Sequence, residues 1–436
     1  MNVAISGGGF TGKGAEAMLR TVRTELARRI GGLECSLWRC PPTQSRQALD
    51  AGFSLMFWPG DRPGISARAQ KKLGIDLTAW STKELSVRTF PVALGGGASR
   101  QKMLSAAYCH YLERTGRAID AVIDIGGFAY GDEWSLGRAL WNAPLIEFCT
   151  RHAVPMIYLP QAWGSFEKPD IRQGTRQLLE TPVTWLYSRD EQSSRYLEEL
   201  LGRPDHSIAA WPDIAFAFRG GTREQGQQIL RSMGCDLTRQ IVGVAPNMQI
   251  YRRVDGSGLG NLYVRSLVRV VEHCLEEHDV DIVLQASEMY ASGSAIDDRH
   301  LCSLIAAAVD RPDRCFATQD VLTAGQSAAL ISCFDYLVGS RFHSLVFGLS
   351  QGVPGMAVSW SHKYRQLLAP FGLEDSVIEL DRLESEALIT TFEQGWGRRA
   401  ELQPQILATA QELRLQVGAL FDEVAAVVGG HGRSSG

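Results

Sequence analysis

Short apolar, β-branched runs alternate with amphipathic helical stretches along nearly the whole chain, and this alternation constrains the fold more than any single motif. Continuous apolar runs bounded by turns are the mark of strands covered on both faces, so parallel sheets flanked by helices are expected. In the first half, strands are predicted at Val3–Ser6, Cys35–Arg39, Ser54–Trp58, Ala121–Ile125, Met156–Leu159 and Val183–Tyr187, with helices at Gly14–Arg29, Leu136–His152 and Gln192–Leu201. Asp190 is placed to cap the last of these. In the second half, strands are predicted at Ile241–Ala245, Asp281–Gln285, Cys315–Thr318, Tyr336–Val338, Met356–Ser359 and Val377–Leu380. Helices lie between them at Leu262–Glu277, Arg299–Val309, Ala324–Cys333 and Phe342–Ser350.

A chain of 436 residues exceeds what one hydrophobic core serves, so two domains are expected. The pattern breaks at Phe218–Met233 and restarts at Ile241. The division is therefore 1–220 and 234–400, each a Rossmann-like doubly wound domain, then an amphipathic helix at 401–428 and a disordered Gly/Ser-rich tail at 429–436. Two such domains facing one another would set the carboxyl ends of both sheets at a common cleft, where these folds take ligands. A net charge of -4 without a basic run gives no reason to expect nucleic acid. The N-terminus enters a buried strand rather than a signal peptide, and no apolar stretch spans a bilayer. Nine scattered cysteines without a CxxC pair point to reduced core thiols in the cytoplasm, and no metal or cofactor is expected. Peripheral membrane contact stays open.

The turn SGGGFTGKG at residues 6–14 fits two patterns incompletely. Gly7, Gly9 and Gly12 match the dinucleotide fingerprint, but the second strand ends Trp38-Arg39-Cys40, without the acidic residue for a ribose. Gly7 through Lys13 match a phosphate loop, but Gly14 stands where a Ser or Thr would hold magnesium. A close strand-to-helix turn and an anion or sugar site assisted by Lys13 remain as alternatives. Asp124-Ile125-Gly126-Gly127, followed by Asp132 and Glu133, ends another strand; Pro160-Gln161-Ala162-Trp163-Gly164-Ser165-Phe166 is expected as an irregular loop, and Ser188-Arg189-Asp190 leaves the next strand. Each reads equally as a plain turn; three at successive strand ends make a site more credible than any one alone.

The most informative run is Phe334–Lys363. A buried strand ends at Gly339-Ser340, a helix opens with Arg341 and His343 in its first turn, and the next strand delivers Lys363 past its carboxyl end. Two fixed cations and a titratable ring at adjacent strand ends suit a small ligand carrying phosphate and carboxylate.

Together GSRFHSLVFGLSQGVP with Lys363, the Ser188-Arg189-Asp190 turn, PQAWGSF, WPDIAF and the Gly-rich opening with Glu16 resemble the polysaccharide pyruvyl transferase family, in family order over nearly the whole chain. The resemblance implies a glycosyltransferase-B-like pair of domains that moves pyruvate from phosphoenolpyruvate onto a sugar, free or lipid-linked, as a ketal. It implies His343 and Arg341 as catalytic, and Arg341, Lys363, Arg189 and Ser340 as donor-binding. Gly8, Gly9, Lys13, Gly126, Gly127, Asp132 and Gln161 fall to the acceptor. The chain departs from the family at Trp360, where a Tyr is common, at Ser165, where a Pro is common, and in Lys13-Gly14-Ala15. Three rivals stand beside this reading: a nucleotide-sugar glycosyltransferase, an NADP enzyme resting on GxGxxG and Arg39, and a non-catalytic sugar-binding relative.

Overall fold

The computed structural model describes residues 1–38, 40–56, 118–135, 137, 142–203, 208–290 and 294–431. Arg39, Phe57 and Trp58 of the predicted strands, residues 136 and 138–141 of the predicted helix, and tail residues 432–436 lie outside these. The chain divides into two compact units: Met1–Phe10, Val22–Asp213 and Ala419–Gly436 in the first, Thr11–Thr21 and Ile214–Gly418 in the second. The change of unit at Asp213/Ile214 precedes the break anticipated at Phe218–Met233. It also gives Thr11–Thr21, with Lys13, to the second unit.

The first unit is built on β1 (Asn2–Ser6), β2 (Glu34–Trp38), β3 (Ser54–Met56), β4 (Ala121–Asp124), β5 (Phe128–Tyr130), β6 (Met156–Trp163) and β7 (Thr184–Ser188). Their order is β3-β2-β1-β4-β6-β5, with β7 also paired to β6, and every pairing is parallel. Its core is continuous from Ala4 and Val122 through Tyr158 and Trp163 to Leu197. One expectation is corrected here: Pro160-Gln161-Ala162-Trp163 is not a loop but the second half of β6. Proline lacks the ladder N–H, and the β6–β7 register shifts between Tyr158 and Gln161, where Pro160 sits. Beyond it Trp163 is fully buried and stacks on Tyr130 at 4.9 Å, which holds the strand against β5. Asp190 caps the helix Glu191–Leu201 as expected, accepting the Ser193 amide at 2.7 Å.

The second unit carries β8 (Gln240–Ala245), β9 (Val280–Leu284), β10 (Cys315–Ala317), β11 (Tyr336–Gly339), β12 (Gly355–Ser359) and β13 (Val377–Glu379). All pairings are parallel in the order β10-β9-β8-β11-β12-β13. Counted from β8 this is 3-2-1-4-5-6, the dinucleotide-binding order, and the direction in which successive strands are added reverses between β8 and β11. Ala245 and Gly339 are partners at that point, and it is outside the carboxyl ends of such strands that sheets of this order form a ligand crevice.

The last helix is longer than predicted. It runs Ser385–His431 with Pro404 inside it, so Gly429–His431 are helical and the expected disordered tail is corrected at those residues. Among the described residues, no helix is long and apolar enough to cross a membrane.

Candidate functional site at the crevice of the second sheet

Ser340 and Arg341 follow β11 directly, and Arg341 is the N-cap of the helix Phe342–Leu349, whose first turn no side chain caps. His343 is therefore the second helical residue and not a cap. The Ser340 carbonyl is fixed by Asn247 Nδ2 at 2.7 Å and the Tyr364 hydroxyl at 2.8 Å, which ties the ends of β8, β11 and β12 together.

The Gly-rich turn meets this crevice from the other end of the sequence. Lys13 N donates to the Ser287 carbonyl at 3.1 Å, Met289 N donates to the Thr11 carbonyl at 3.0 Å, and Gly12 forms a bridge with Glu288. Glu16 is buried. It accepts the Ala324 amide at 3.0 Å and Arg20 Nε at 2.9 Å, and its other neighbour is Lys13 Nζ at 3.8 Å. Burial pulls the Lys13 ammonium below its ordinary pKa, against the pull of Glu16 and Glu288. These contacts explain why Thr11–Thr21, with the first half of the helix Lys13–Ala27, belongs to the second unit. They place Lys13 in the second unit, apart from the glycines and Gln161 of the first.

Gly14 lies against the His343 ring. A Cβ on Gly14 would overlap the Cγ, Nδ1 and Cβ atoms of His343, so no residue with a side chain fits without moving that ring. The glycine that breaks the phosphate-loop pattern is thus required by the histidine 329 positions later, and the two motifs pack against one another.

Arg341 is not the free clamp its position suggested. Its Nη2 donates to Asp298 at 2.5 Å and its Nη1 to Glu288 at 3.5 Å. Asp298 is fully buried and also accepts the amides of Met248 at 3.0 Å, Glu288 at 2.8 Å and Ser287 at 3.3 Å. Burial opposes the Arg341 charge, yet the two carboxylates outweigh it and hold the guanidinium above its ordinary pKa. Only Arg341 Nε makes no hydrogen bond. Glu288 and Asp298 went unnoticed in the sequence, where an Asp-Asp pair before a helix signals only an N-terminus.

Lys363 opens the helix Lys363–Leu368. Its Nζ lies 4.6 Å from the Trp360 ring centroid, 5.6 Å from Tyr364 and 5.7 Å from Phe342, whose ring meets His343 edge-on at 5.3 Å. The Arg253 guanidinium carbon lies 4.2 Å from the same Trp360 ring. An indole face attracts cations, so Trp360 gathers two positive groups beside the Phe342–His343 pair. No local pattern in the sequence singles out Arg253 as part of this group.

In the first unit the Ser6-Gly7 and Asp124–Gly126 turns meet between β1 and β4. Asp124 is buried and spends its carboxylate on Ser6 Oγ (2.5 Å), Asn142 Nδ2 (2.9 Å), Gly126 N (3.0 Å) and Gln161 Nε2 (3.4 Å). Gly7 has φ +79°, and a Cβ there would stand 2.7 Å from the Gly126 amide, so these glycines serve backbone approach. Gly8 is exposed and Gly9, Gly126 and Gly127 are half-buried, whereas Gln161 is buried. Asp132 accepts Ser165 Oγ at 3.1 Å and the Glu167 and Lys168 amides at 2.7 and 3.1 Å, which braces the loop before the helix Pro169–Leu179. Arg189 is ion-paired with Asp213 at 2.8 Å, both nearly buried, inside its own unit. Asp132 and Arg189 thus have structural employment that their sequence context did not reveal.

Solved structures with this fold include a glycosyltransferase from Rickettsia africae ESF-5 (TM-score 0.56, 8% identity, 98% of each chain covered). UDP-GlcNAc 2-epimerase from Neisseria meningitidis, bound to UDP-GlcNAc, is similar at TM-score 0.54 and 11% identity over 98% of this chain and 99% of that one. The glycosyltransferase SnogD from Streptomyces nogalater follows at TM-score 0.52 and 12% identity over 98% of each. At such identities the likeness establishes the glycosyltransferase-B-like fold and nothing finer. No curated protein sequence matches the chain. The polysaccharide pyruvyl transferase profile matches residues 13–362, from Lys13 to His362, leaving Gly8, Gly9 and Lys363 outside. With most of its length matched, and with the glycine turn and the Arg-Phe-His helix joined at one crevice, the chain belongs to the polysaccharide pyruvyl transferase family.

Proposed function

We propose that this transferase moves pyruvate from phosphoenolpyruvate onto a sugar hydroxyl at the crevice of the second sheet, and closes a ketal with a second hydroxyl of the same sugar. The observation that carries this reading is His343, seated on Gly14 at the reversal point between β8 and β11, with Lys363 beside the shared Phe342 ring. Open parallel sheets take ligands at that point, and a helix N-terminus favours anions. Lys363 supplies a point charge for phosphate or carboxylate, and the remaining Nε of Arg341 offers one directed hydrogen bond.

The chemistry balances without a redox partner. A proton adds to the methylene carbon of phosphoenolpyruvate, which becomes the methyl group, and C2 takes on cation character. A sugar hydroxyl bonds to C2 and releases its proton, the C2–O bond to phosphate breaks, and the second hydroxyl closes the ring, its proton leaving with inorganic phosphate. His343 is the group proposed to carry the proton, because histidine is the side chain suited to proton transfer near neutrality. The acceptor is assigned to the open glycine turns of the first unit, Gly8, Gly9, Gly126 and Gly127, with Gln161. Ser340, its carbonyl clamped, is proposed to serve the donor by fixing the backbone from which Arg341 and His343 project. We place the reaction in the cytoplasm, a reading supported by free thiols at the eight described cysteines.

Titration calorimetry tests this against the nucleotide-sugar reading, which the solved glycosyltransferases keep in play. Phosphoenolpyruvate should bind and lose affinity in Lys363→Ala, while UDP, UDP-GlcNAc and NADP give no heat. Tight UDP or NADP binding with no response to phosphoenolpyruvate would overturn the proposal.

A further inference from the structure

On the amino-end side of the second sheet, away from the crevice, three metal-ligating side chains converge. His273 lies near the end of the helix Leu262–Glu277, and His278 follows it with an extended backbone (φ -129°) just before β9. A five-residue separation does not place two side chains on one helix face, but the break at His278 turns its ring back. Both Nε2 atoms lie 2.7 Å from the same Glu393 Oε1, on the long C-terminal helix. The two rings are 6.3 Å apart and nearly perpendicular.

We propose that His273, His278 and Glu393 form a binding site for a zinc-like divalent cation that fastens the C-terminal helix to the segment entering β9. Two imidazoles and one carboxylate are the donor set of open three-ligand zinc sites and of other late first-row divalent ions. The three ligand atoms lie within 4.8 Å of one another. A tetrahedral ion with bonds of about 2.0–2.1 Å holds neighbouring ligand atoms about 3.3 Å apart, so each N···O separation opens by only about half an ångström. The far side of the site is walled: His278 packs on Trp396 at 5.4 Å and on Phe392 at 6.0 Å, and Phe392 stacks on Trp396. That wall fixes the imidazole direction, as a ligand requires. The other side is open, with the histidines 22–23% and Glu393 40% exposed, leaving room for water as further ligands. A lone carboxylate facing two imidazoles gives a divalent ion a net attraction, and magnesium, which prefers an all-oxygen shell, is disfavoured.

The test uses the full chain, stripped with chelator and titrated with zinc chloride, with magnesium as the control. One zinc should bind per chain with a Kd of about 1 µM or tighter. The melting temperature should rise with zinc concentration. Glu393→Gln, which keeps the hydrogen bonds and loses the charge, and His273→Gln should each weaken zinc by at least about tenfold. Phosphoenolpyruvate binding should be unchanged in both, which separates this site from the crevice. Absence of zinc uptake by the wild type, or equal uptake by both variants, would overturn the proposal and leave a hydrogen-bonded clasp. If the variants do not fold, anomalous scattering at the zinc edge from wild-type crystals decides: density among the three side chains supports the site, and its absence refutes it.

Discussion

Gly14→Ala should destabilise the protein, although the same change at most helical positions stabilises it. Gly14 is the second residue of the helix Lys13–Ala27, where Ala normally gains roughly 0.5–1 kcal/mol. Here the new methyl would overlap the base of the His343 side chain, not a flexible tip, so the ring or the helix must move. Overpacking of this kind costs about 1–3 kcal/mol, so the net effect should be a loss of roughly 1–2 kcal/mol. Turnover should fall as well, because the displaced ring is the proposed proton carrier. Urea denaturation of Gly14→Ala, His343→Ala and the double variant isolates the contact. The double variant should be more stable than the sum of the single losses by at least about 1 kcal/mol. A stabilised Gly14→Ala with wild-type turnover, or additive losses, would refute the packing of Gly14 on His343.

Arg341→Ala should cost about 3–5 kcal/mol in chemical denaturation, because it strands the buried Asp298, and the loss should exceed that of Lys363→Ala. Lys363→Ala should keep the melting temperature and weaken phosphoenolpyruvate by roughly 1.5–3 kcal/mol in calorimetry. Trp360→Leu should weaken the same binding by about 1 kcal/mol through loss of its hold on Lys363 and Arg253. Burial sets the Lys13 pKa below 10.5, so protonating it works against the folded state. The stability tied to its neutral form is present above pH 10.5 and lost as pH falls through the lower folded value. Lys13→Met should therefore gain on the wild type in melting temperature as pH is lowered from 10.5 to 8, and a constant difference would contradict this.

Strand positions were legible because buried parallel strands write themselves as apolar runs: Ile241–Ala245 and Met356–Ser359 need nothing beyond local pattern. The second half of β6 was not, since Pro160 and Gln161 read as a break, and it is pairing with β5 and β7, beside the packing of Trp163 on Tyr130, that makes this segment a strand. Gly429 and Gly430 misled in the same way, being poor helix formers carried at the end of a 47-residue helix. Arg341, His343 and Lys363 were legible as a group because 23 residues of sequence bring them to adjacent strand ends. That Gly14 belongs with them was not, because a contact across 329 positions leaves no local trace. The employment of Arg341 by Asp298, of Arg189 by Asp213 and of Asp132 by its loop was equally hidden, since composition does not say which charges neutralise one another.

Phosphate release from phosphoenolpyruvate, measured over a panel of sugar acceptors and across pH for the wild type and His343→Asn, tests the proposed chemistry most directly. Asn keeps a small polar side chain and cannot titrate, and because position 343 is not the helix cap, it gains nothing as a capping residue. The variant should lose about 10²–10⁴ in turnover and one limb of the pH profile, with phosphoenolpyruvate affinity changed only a few-fold. A variant that releases phosphate at the wild-type rate with the same pH profile would contradict the assignment of proton transfer to His343.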